Sequence, residues 1–387
     1  MRRLLTIIAI VLFATGCQGG DTEPIPAADQ PEMYKDLIIG KSVGIVANQT
    51  SMVGNEHLVE FLTGQGVSIK VIFTPEHGYR ELVADGEHIG DGTDAATGIP
   101  LRSLYGIRRK PAPEDLAGLD IVIYDIQDVG ARFYTYISTL HYVMEACAEN
   151  NVRCIVFDRP NPNGFYFDGN IADTAYRSFV GIHPVPVMHG MTVGEYAQMI
   201  NGEGWLAGGI RCDLTVIKCK NYTHQTLYEL PVRPSPNLPN MTAVYLYPSL
   251  CFFEGTNVSL GRGTPFPFQV YGSPLLPDTG FSFTPESRAE SVKPPLMGIR
   301  CYGVDLRGAI EDKLVPSSGI NLGWVIDAYN RYPEKDKFFN NYFDVLAAGP
   351  ILREQIISGM SPDEIRVTWK EGLEKFGRIR AKYLLYE

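Results

Sequence analysis

The sequence predicts an α/β protein: a Rossmann-like domain on a parallel sheet, followed by a smaller α+β C-terminal domain. Three observations carry this. Short, near-continuous runs of Val and Ile recur from residue 42 onward, the pattern of strands buried on both faces. Longer mixed segments with helical periodicity separate them, and that alternation favours parallel strands joined by right-handed crossovers. Near residue 236 the texture changes to Gly, Pro and aromatic residues, which ends the alternation. With 387 residues, 45% of them hydrophobic, the chain is long enough to fill two such domains.

In chain order, Arg2 and Arg3 precede a short apolar run from Leu4 to Phe13 and then small residues leading to Cys17. Residues 1–17 therefore read as a secretory signal, too short to span a bilayer as a mature helix. The cysteine directly after Ala14-Thr15-Gly16 resembles a bacterial lipobox, which implies a lipidated Cys17. Membrane attachment through a lipid anchor and a place in the bacterial cell envelope, periplasmic or at the cell surface, follow as expectations. The polar, Pro-rich stretch 18–31 is expected to be a tether.

The first domain is expected over 32–235. Its strands are VGIVAN (43–48), IKVIF (69–73), DIVIYDI (120–126), RCIVFDR (153–159) and LTVIKCK (214–220). Helices are expected over 56–64 and from about 132 to 149, and another starts at the Thr192/Glu195 capping box. Residues 230–248 hold five prolines in nineteen positions and suggest an extended connection. The second domain is expected over 236–387, with helical patterning returning through 324–332 and near the C-terminus.

Several function classes are excluded early. A net charge of −10 without a basic stripe argues against nucleic acid as a partner. No G-x-G-x-x-G follows the first strand, so no dinucleotide cofactor is expected. The cysteines beyond Cys17 form no C-x-x-C pair or Cys/His ligand spacing, so neither structural zinc nor another metal is expected, and the thiols read as mostly buried and free.

In an open parallel sheet, ligands bind beyond the carboxyl ends of the strands. Each predicted strand here ends in polar groups: Asn48-Gln49-Thr50, then Pro75-Glu76-His77-Gly78, then Asp125-Ile126-Gln127-Asp128, then Asp158-Arg159-Pro160-Asn161. Their convergence makes a polar floor for a cleft, and Glu76 and His77 of FTPEHGYR stand on it. Each also has a structural reading: Glu76 as a loop cap, His77 as a spacer, Asp125 or Asp128 as a helix cap, Tyr134 and Tyr136 as packing residues, Asp158 with Arg159 as an ion pair. His189, in MHG before the Thr192 helix, is a further candidate. The second domain adds FFEGTNVSLGRGTPFPF, residues 252–268, where glycines 255, 261 and 263 let backbone approach a ligand and Glu254, Thr256, Asn257, Ser259 and Arg262 offer polar groups.

Taken in order, TPEHGYR, TGIPLRSLYG, YDIQDVGARFYTYISTL, FDRPNPNG, SFVGIHPVPVMHGMTVGEYA, PSPNLPN, EGTNVSLGRGTPFPF and the closing YLLY resemble the NamZ family of bacterial exo-β-N-acetylmuramidases. The resemblance runs from about residue 41 to 386. It implies an active site between a Rossmann-like domain and a C-terminal domain, and release of N-acetylmuramic acid from the non-reducing end of peptidoglycan fragments. It places the EHG motif on Glu76 to Gly78, and the motif arginine and tyrosines on Arg132, Tyr134 and Tyr136. Tyr79-Arg80-Glu81-Leu82 departs from the Phe-Arg-Gly usual in the family, which implies a differently shaped loop.

Glycoside hydrolysis needs a proton donor at the leaving oxygen and a second group at the anomeric carbon, commonly two carboxylates. Under this resemblance Glu76 is the expected general acid. Asp125, Asp128 and Glu254 all remain as the second group. The lactyl carboxylate of a muramic acid calls for an arginine fork, with Arg132, Arg159 and Arg262 as candidates. Asn48, Gln127, Asn161, His189, Thr256 and Asn257 complete the expected substrate-binding set. The competing expectation from the same features is a lipoprotein that binds peptidoglycan fragments without cleaving them. Metal-dependent hydrolysis by His77, Asp125 and Asp158 has no supporting spacing.

Overall fold

The five Val/Ile runs form five strands of one sheet; the inner four are buried along most of their length, and the strand at the edge is partly covered. The computed structural model describes residues 23–76, 78–80, 90–316 and 319–387. The strands are β1 (Ser42–Ala47), β2 (Ser68–Thr74), β5 (Ile121–Asp125), β6 (Arg153–Phe157) and β7 (Leu214–Ile217). Two short strands that the sequence pattern does not reveal, β3 (Gly92–Thr93) and β4 (Pro100–Ser103), extend one edge. The order is β3-β4-β2-β1-β5-β6-β7, parallel throughout except for the antiparallel β3. β2 lies on one side of β1 and β5 on the other, so the strand order reverses beside β1, where open sheets hold their ligands.

Side chains alternate along these strands between two apolar layers. Val43, Ile45, Ala47, Ile72, Ile121, Ile123, Ile155 and Phe157 pack with Tyr34 and Ile38 of α1 (Pro31–Ile38) and with Leu58, Val59 and Leu62 of α2 (Leu58–Gly64). Val46, Phe73, Val122, Tyr124, Cys154 and Val156 face the other layer, with α3 (Tyr136–Glu149) and α4 (Val193–Gly202). That second layer continues without a break into the C-terminal half through Leu246, Phe252, Tyr271, Phe343 and Trp369. The smaller C-terminal domain contains an antiparallel sheet of β8 (Val270–Ser273), β9 (Ser282–Phe283) and β10 (Cys301–Asp305), with helices from α5 (Met241–Leu250) to a last helix at Pro362–Arg380. It is thus seated on the first domain through one shared core.

Three expectations are corrected here. Residues 23–31 do not behave as a tether: Ile25 bridges Lys220, the Ala27 amide bonds the Asp158 carbonyl at 2.9 Å, and Ala27 and Ala28 are fully buried. The long helix starts at Tyr136 rather than near residue 132, because Ala131 bridges Met188 and the Arg132 amide bonds the Val187 carbonyl at 2.7 Å, which hold 131–135 in a turn. The connection expected to be extended through residue 248 turns helical at Met241, where the Asn240 side chain caps the Ala243 amide at 3.0 Å and Pro248 sits two residues from the end. The Thr192/Glu195 capping box forms as read. The six described cysteines are buried free thiols. Cys17 and the rest of the signal segment lie outside the described residues.

Candidate active site

A cleft of about 600 Å³ opens at the carboxyl ends of β2, β4 and β5, within the range of small-ligand pockets. Glu76 follows β2, Tyr105 and Arg109 follow β4, and Phe133 to Tyr136 follow β5. The C-terminal domain supplies the facing wall: Tyr247, Glu254, Arg262, Phe268 and Tyr342. Glu254 stands on a tight turn, Cys251–Gly255, pressed against Tyr342–Leu346. Gly255 makes that approach possible, since a Cβ there would fall 2.5 Å from the Phe343 backbone nitrogen.

Two carboxylates face this cleft. Glu76 is half-buried, its Oε2 accepts from the Thr135 hydroxyl at 3.2 Å, and the Tyr105 hydroxyl also bonds it. Burial pushes the Tyr105 hydroxyl well above its ordinary value, and Glu76 adds to that, so Tyr105 keeps its proton and donates. Across the cleft, one Glu254 oxygen accepts a hydrogen bond from Arg262. Burial, and then the negative charge of Glu76, push the Glu254 carboxyl up to about 7, while the touching guanidinium works against that rise. Burial lowers Arg262 to about 10 and Glu76 opposes that, so the guanidinium stays charged at neutral pH.

The remaining walls are aromatic and fixed. Tyr134 donates to the Pro234 carbonyl at 2.7 Å, and the Tyr136 hydroxyl accepts from Asn48 Nδ2 at 3.1 Å. Their rings meet edge-on with centroids 4.8 Å apart, and Tyr247 continues the row to Phe268 at 5.1 Å. Such faces suit the C–H surfaces of a sugar ring.

Of the residues expected from sequence, the structure brings Glu76, Glu254, Arg262, Tyr134 and Tyr136 to the cleft and places most others beneath or beside it. Arg132 is not a ligand-facing fork: it is 1% exposed and donates to the carbonyls of Asn170, Val185 and Leu346. Arg159 and Asp125 form a buried ion pair at 2.6 Å, which removes both from substrate. Asp128 is buried behind the tyrosines and accepts the Gly130 amide at 2.6 Å. His189 is buried with its Nε2 4.0 Å from Asp128, and burial lowers its imidazole to about 3, so it is neutral. Gln127 donates to the carbonyls of Asp128 and Pro160, Asn161 to that of Met191, and Asn48 ties the β1 end to Tyr136. Thr256 bonds the Phe253 carbonyl and borders an adjoining cavity, while Asn257 bonds the Lys337 carbonyl. Apart from the exposed Asn257, these polar groups satisfy the backbone of buried loops, the ordinary demand on such positions. Asp158 likewise accepts from Thr192, the Gly194 amide and Tyr386. His77 lies outside the described residues.

Tyr79 and Arg80, where the family pattern is broken, turn away from the cleft: Tyr79 packs edge-on against His57 at 4.9 Å and Arg80 pairs with Asp94. Tyr105, Arg109, Phe179, Tyr247 and Tyr342 were not among the expected residues. Tyr105 had a signal, since it lies in TGIPLRSLYG. Arg109 and Tyr342 had none, because two short strands of two and four residues and a distant helix bring them in.

Two family models match nearly the whole described chain: "Exo-beta-N-acetylmuramidase NamZ, N-terminal" over residues 43–242 and its C-terminal counterpart over 245–386. A peptidoglycan beta-N-acetylmuramidase NamZ from Bacillus subtilis (strain 168) is 38% identical over 373 residues, covering 91% of this chain and 89% of the relative. A crystal structure of a DUF1343 family protein from Bacteroides fragilis superposes with a TM-score of 0.88 at 46% identity, over 95% of this chain and 99% of that one. A second DUF1343 family structure from the same organism gives 0.78 at 27% identity, over 94% and 99%.

Proposed function

The chain belongs to the exo-β-N-acetylmuramidase NamZ family, and from that premise we propose how its cleft works. The protein is an exo-acting glycoside hydrolase that releases N-acetylmuramic acid from the non-reducing end of peptidoglycan fragments. The observation that carries the mechanism is the pair of carboxylates, Glu76 and Glu254, facing each other across one aromatic-walled cleft. Sequence reasoning gave the proton to Glu76; the electrostatics favour Glu254.

Glu254 accepts from Arg262 through one oxygen, which leaves the other to carry a proton held near neutral pH by burial. That is the state of a general acid, able to protonate the leaving glycosidic oxygen as its bond to the anomeric carbon breaks. Glu76, held by two hydroxyl donors, stays an acceptor and faces the positive charge that develops at the anomeric carbon. Water completes the exchange of the C–O bond for a C–OH.

An aryl β-N-acetylmuramide series tests the assignment. Glu254→Gln is expected to lower kcat by about 10²- to 10⁴-fold with a poor leaving group and far less with a nitrophenol, which needs no proton. Glu76→Gln is expected to lose activity to a similar degree across all leaving groups. The reverse pattern returns the acid role to Glu76. Wild-type activity should fall as pH rises through about 7, where Glu254 loses its proton. No release of N-acetylmuramic acid by the wild type would leave only the fragment-binding reading.

For location, the Cys17 lipobox supports a lipid-anchored place in the cell envelope and a role in cell-wall turnover. No helix among the described residues is long and apolar enough to cross a membrane. Cys17→Ser is expected to move the protein from the membrane fraction to the soluble one with turnover per molecule unchanged; retention at the membrane would refute the anchor.

A further inference from the structure

A muramic acid carries a carboxylate on its lactyl ether. In this cleft it meets a further carboxylate, Glu76, beside the proton donor Glu254. Unless a cation answers it, like charges in a partly desolvated pocket disfavour binding. Among the described residues that line the cleft, the cations are Arg262 and Arg109. Arg262 is committed to Glu254. The two arginines expected from sequence for this task, Arg132 and Arg159, are buried on backbone carbonyls and on Asp125.

We propose that Arg109 binds the lactyl carboxylate and so sets the preference for muramoyl over glucosaminyl ends; this rests on the muramidase reading above. Its neighbours show that this freedom is specific. Arg102 pairs with Asp115, Arg108 with Asp91 and Asp115, and Lys110 with Glu145 and Glu149. Arg109, in the same segment, has no carboxylate within 4.0 Å among the described residues. Its guanidinium instead lies over the Phe179 ring, 4.3 Å from the centroid. Stacking of that kind fixes the plane of the fork while leaving its N–H edge available for a bidentate carboxylate. The position also suits the reaction. Tyr105, which bonds Glu76, lies within electrostatic reach of Arg109, so the cation is set beside the catalytic pair rather than on it. A ring bound with its anomeric carbon between the two glutamates can present its lactyl arm toward this rim.

The test compares N-acetylmuramic acid with its lactyl carboxamide, by calorimetry for binding and as aryl glycosides for turnover. Wild type is expected to prefer the acid. Arg109→Gln is expected to weaken the acid by about 10- to 100-fold, the range for losing a charge-assisted pair, and the amide by less than about threefold. Arg109→Lys, which keeps charge but not the fork, is expected to fall between. Because Arg109 is exposed, the melting temperature of each variant should stay within about 2 °C of wild type. Equal losses on acid and amide, no loss on the acid, or a wild type indifferent to the two, each overturns the proposal. A wild type that binds the acid selectively through Arg109 yet cleaves no aryl muramide keeps the proposal and refutes the hydrolase mechanism instead.

Discussion

Asp128 shows how a strand-end carboxylate can look catalytic and still do something else. Its Oδ1 takes the Gly130 amide, its Oδ2 has no hydrogen-bond partner among the described residues, and burial pushes the carboxyl up to about 7, with the Gly130 and Val129 amides pulling down. Gly130 itself has φ +81°, and a Cβ there would fall 2.5 Å from the Asn161 amide, so the turn that bonds Asp128 depends on glycine. Because the folded value lies above the unfolded one, the folded state binds the proton more tightly; stability is full below about pH 4 and declines until about pH 7. A rise from the ordinary 3.8 to about 7 corresponds to about 4 kcal/mol at most. Asp128→Asn keeps an oxygen for the Gly130 amide and removes the buried charge. Its stability relative to wild type, from urea denaturation at several pH values, is expected to climb between pH 4 and 7 and then level off. A difference that does not change with pH would mean that Asp128 is already paired in the folded state. The contrast with Glu254, raised to a similar value, lies in access: Glu254 lines the cleft and Asp128 sits behind Tyr134.

At the scale of elements, legibility follows burial. The strands β1, β2, β5, β6 and β7 were readable because each is apolar on both faces and lies inside the sheet or packs under helices, so composition alone marks them. The edge strand β3 and its neighbour β4 were not, since Gly92–Thr93 and Pro100–Ser103 are short and partly exposed and carry no apolar run. That loss mattered, because β4 delivers Tyr105 and Arg109 to the cleft. The α4 start was readable from its capping box, a local device written in four residues. The α3 start was not, because the chain near Arg132 is set by bonds to residues 170–187 and 346, far along the sequence. Arg132 was misassigned for the same reason: an arginine in a motif looks alike whether it binds an anion or three distant carbonyls. Glu76 and Glu254 were visible as polar groups at a strand end and a glycine-rich loop, but their meeting across 178 residues of chain required the fold.

For the whole molecule, the cleft exists only while the two domains hold their registration, since one supplies Glu76 and Tyr105 and the other Glu254, Arg262 and Tyr342. The shared apolar layer gives most of that cohesion, and the final residues add a polar clasp. After the last helix the chain returns to the first domain: the Leu385 amide bonds Glu195 at 2.8 Å, and the Tyr386 hydroxyl donates to Asp158 at 2.6 Å while accepting from the Cys219 amide at 2.9 Å. Asp158 is buried and raised to about 6 by that burial, with Tyr386, Thr192 and the Gly194 amide each pulling it down. Tyr386→Phe removes one of those donors with little change in volume. Ionised Asp158 then loses a strong hydrogen bond, whereas protonated Asp158 loses much less, so the folded carboxyl is held still higher. The cost, about 1–2 kcal/mol, is therefore expected near pH 8 and should shrink as pH falls below about 6. Thermal unfolding at pH 5 and pH 8 measures it, as a melting-temperature deficit larger at the higher pH. Turnover well below the melting temperature should stay near wild type, because Tyr386 does not reach the cleft; a deficit equal at both pH values would make Tyr386 a packing residue rather than a charge-stabilising donor to Asp158.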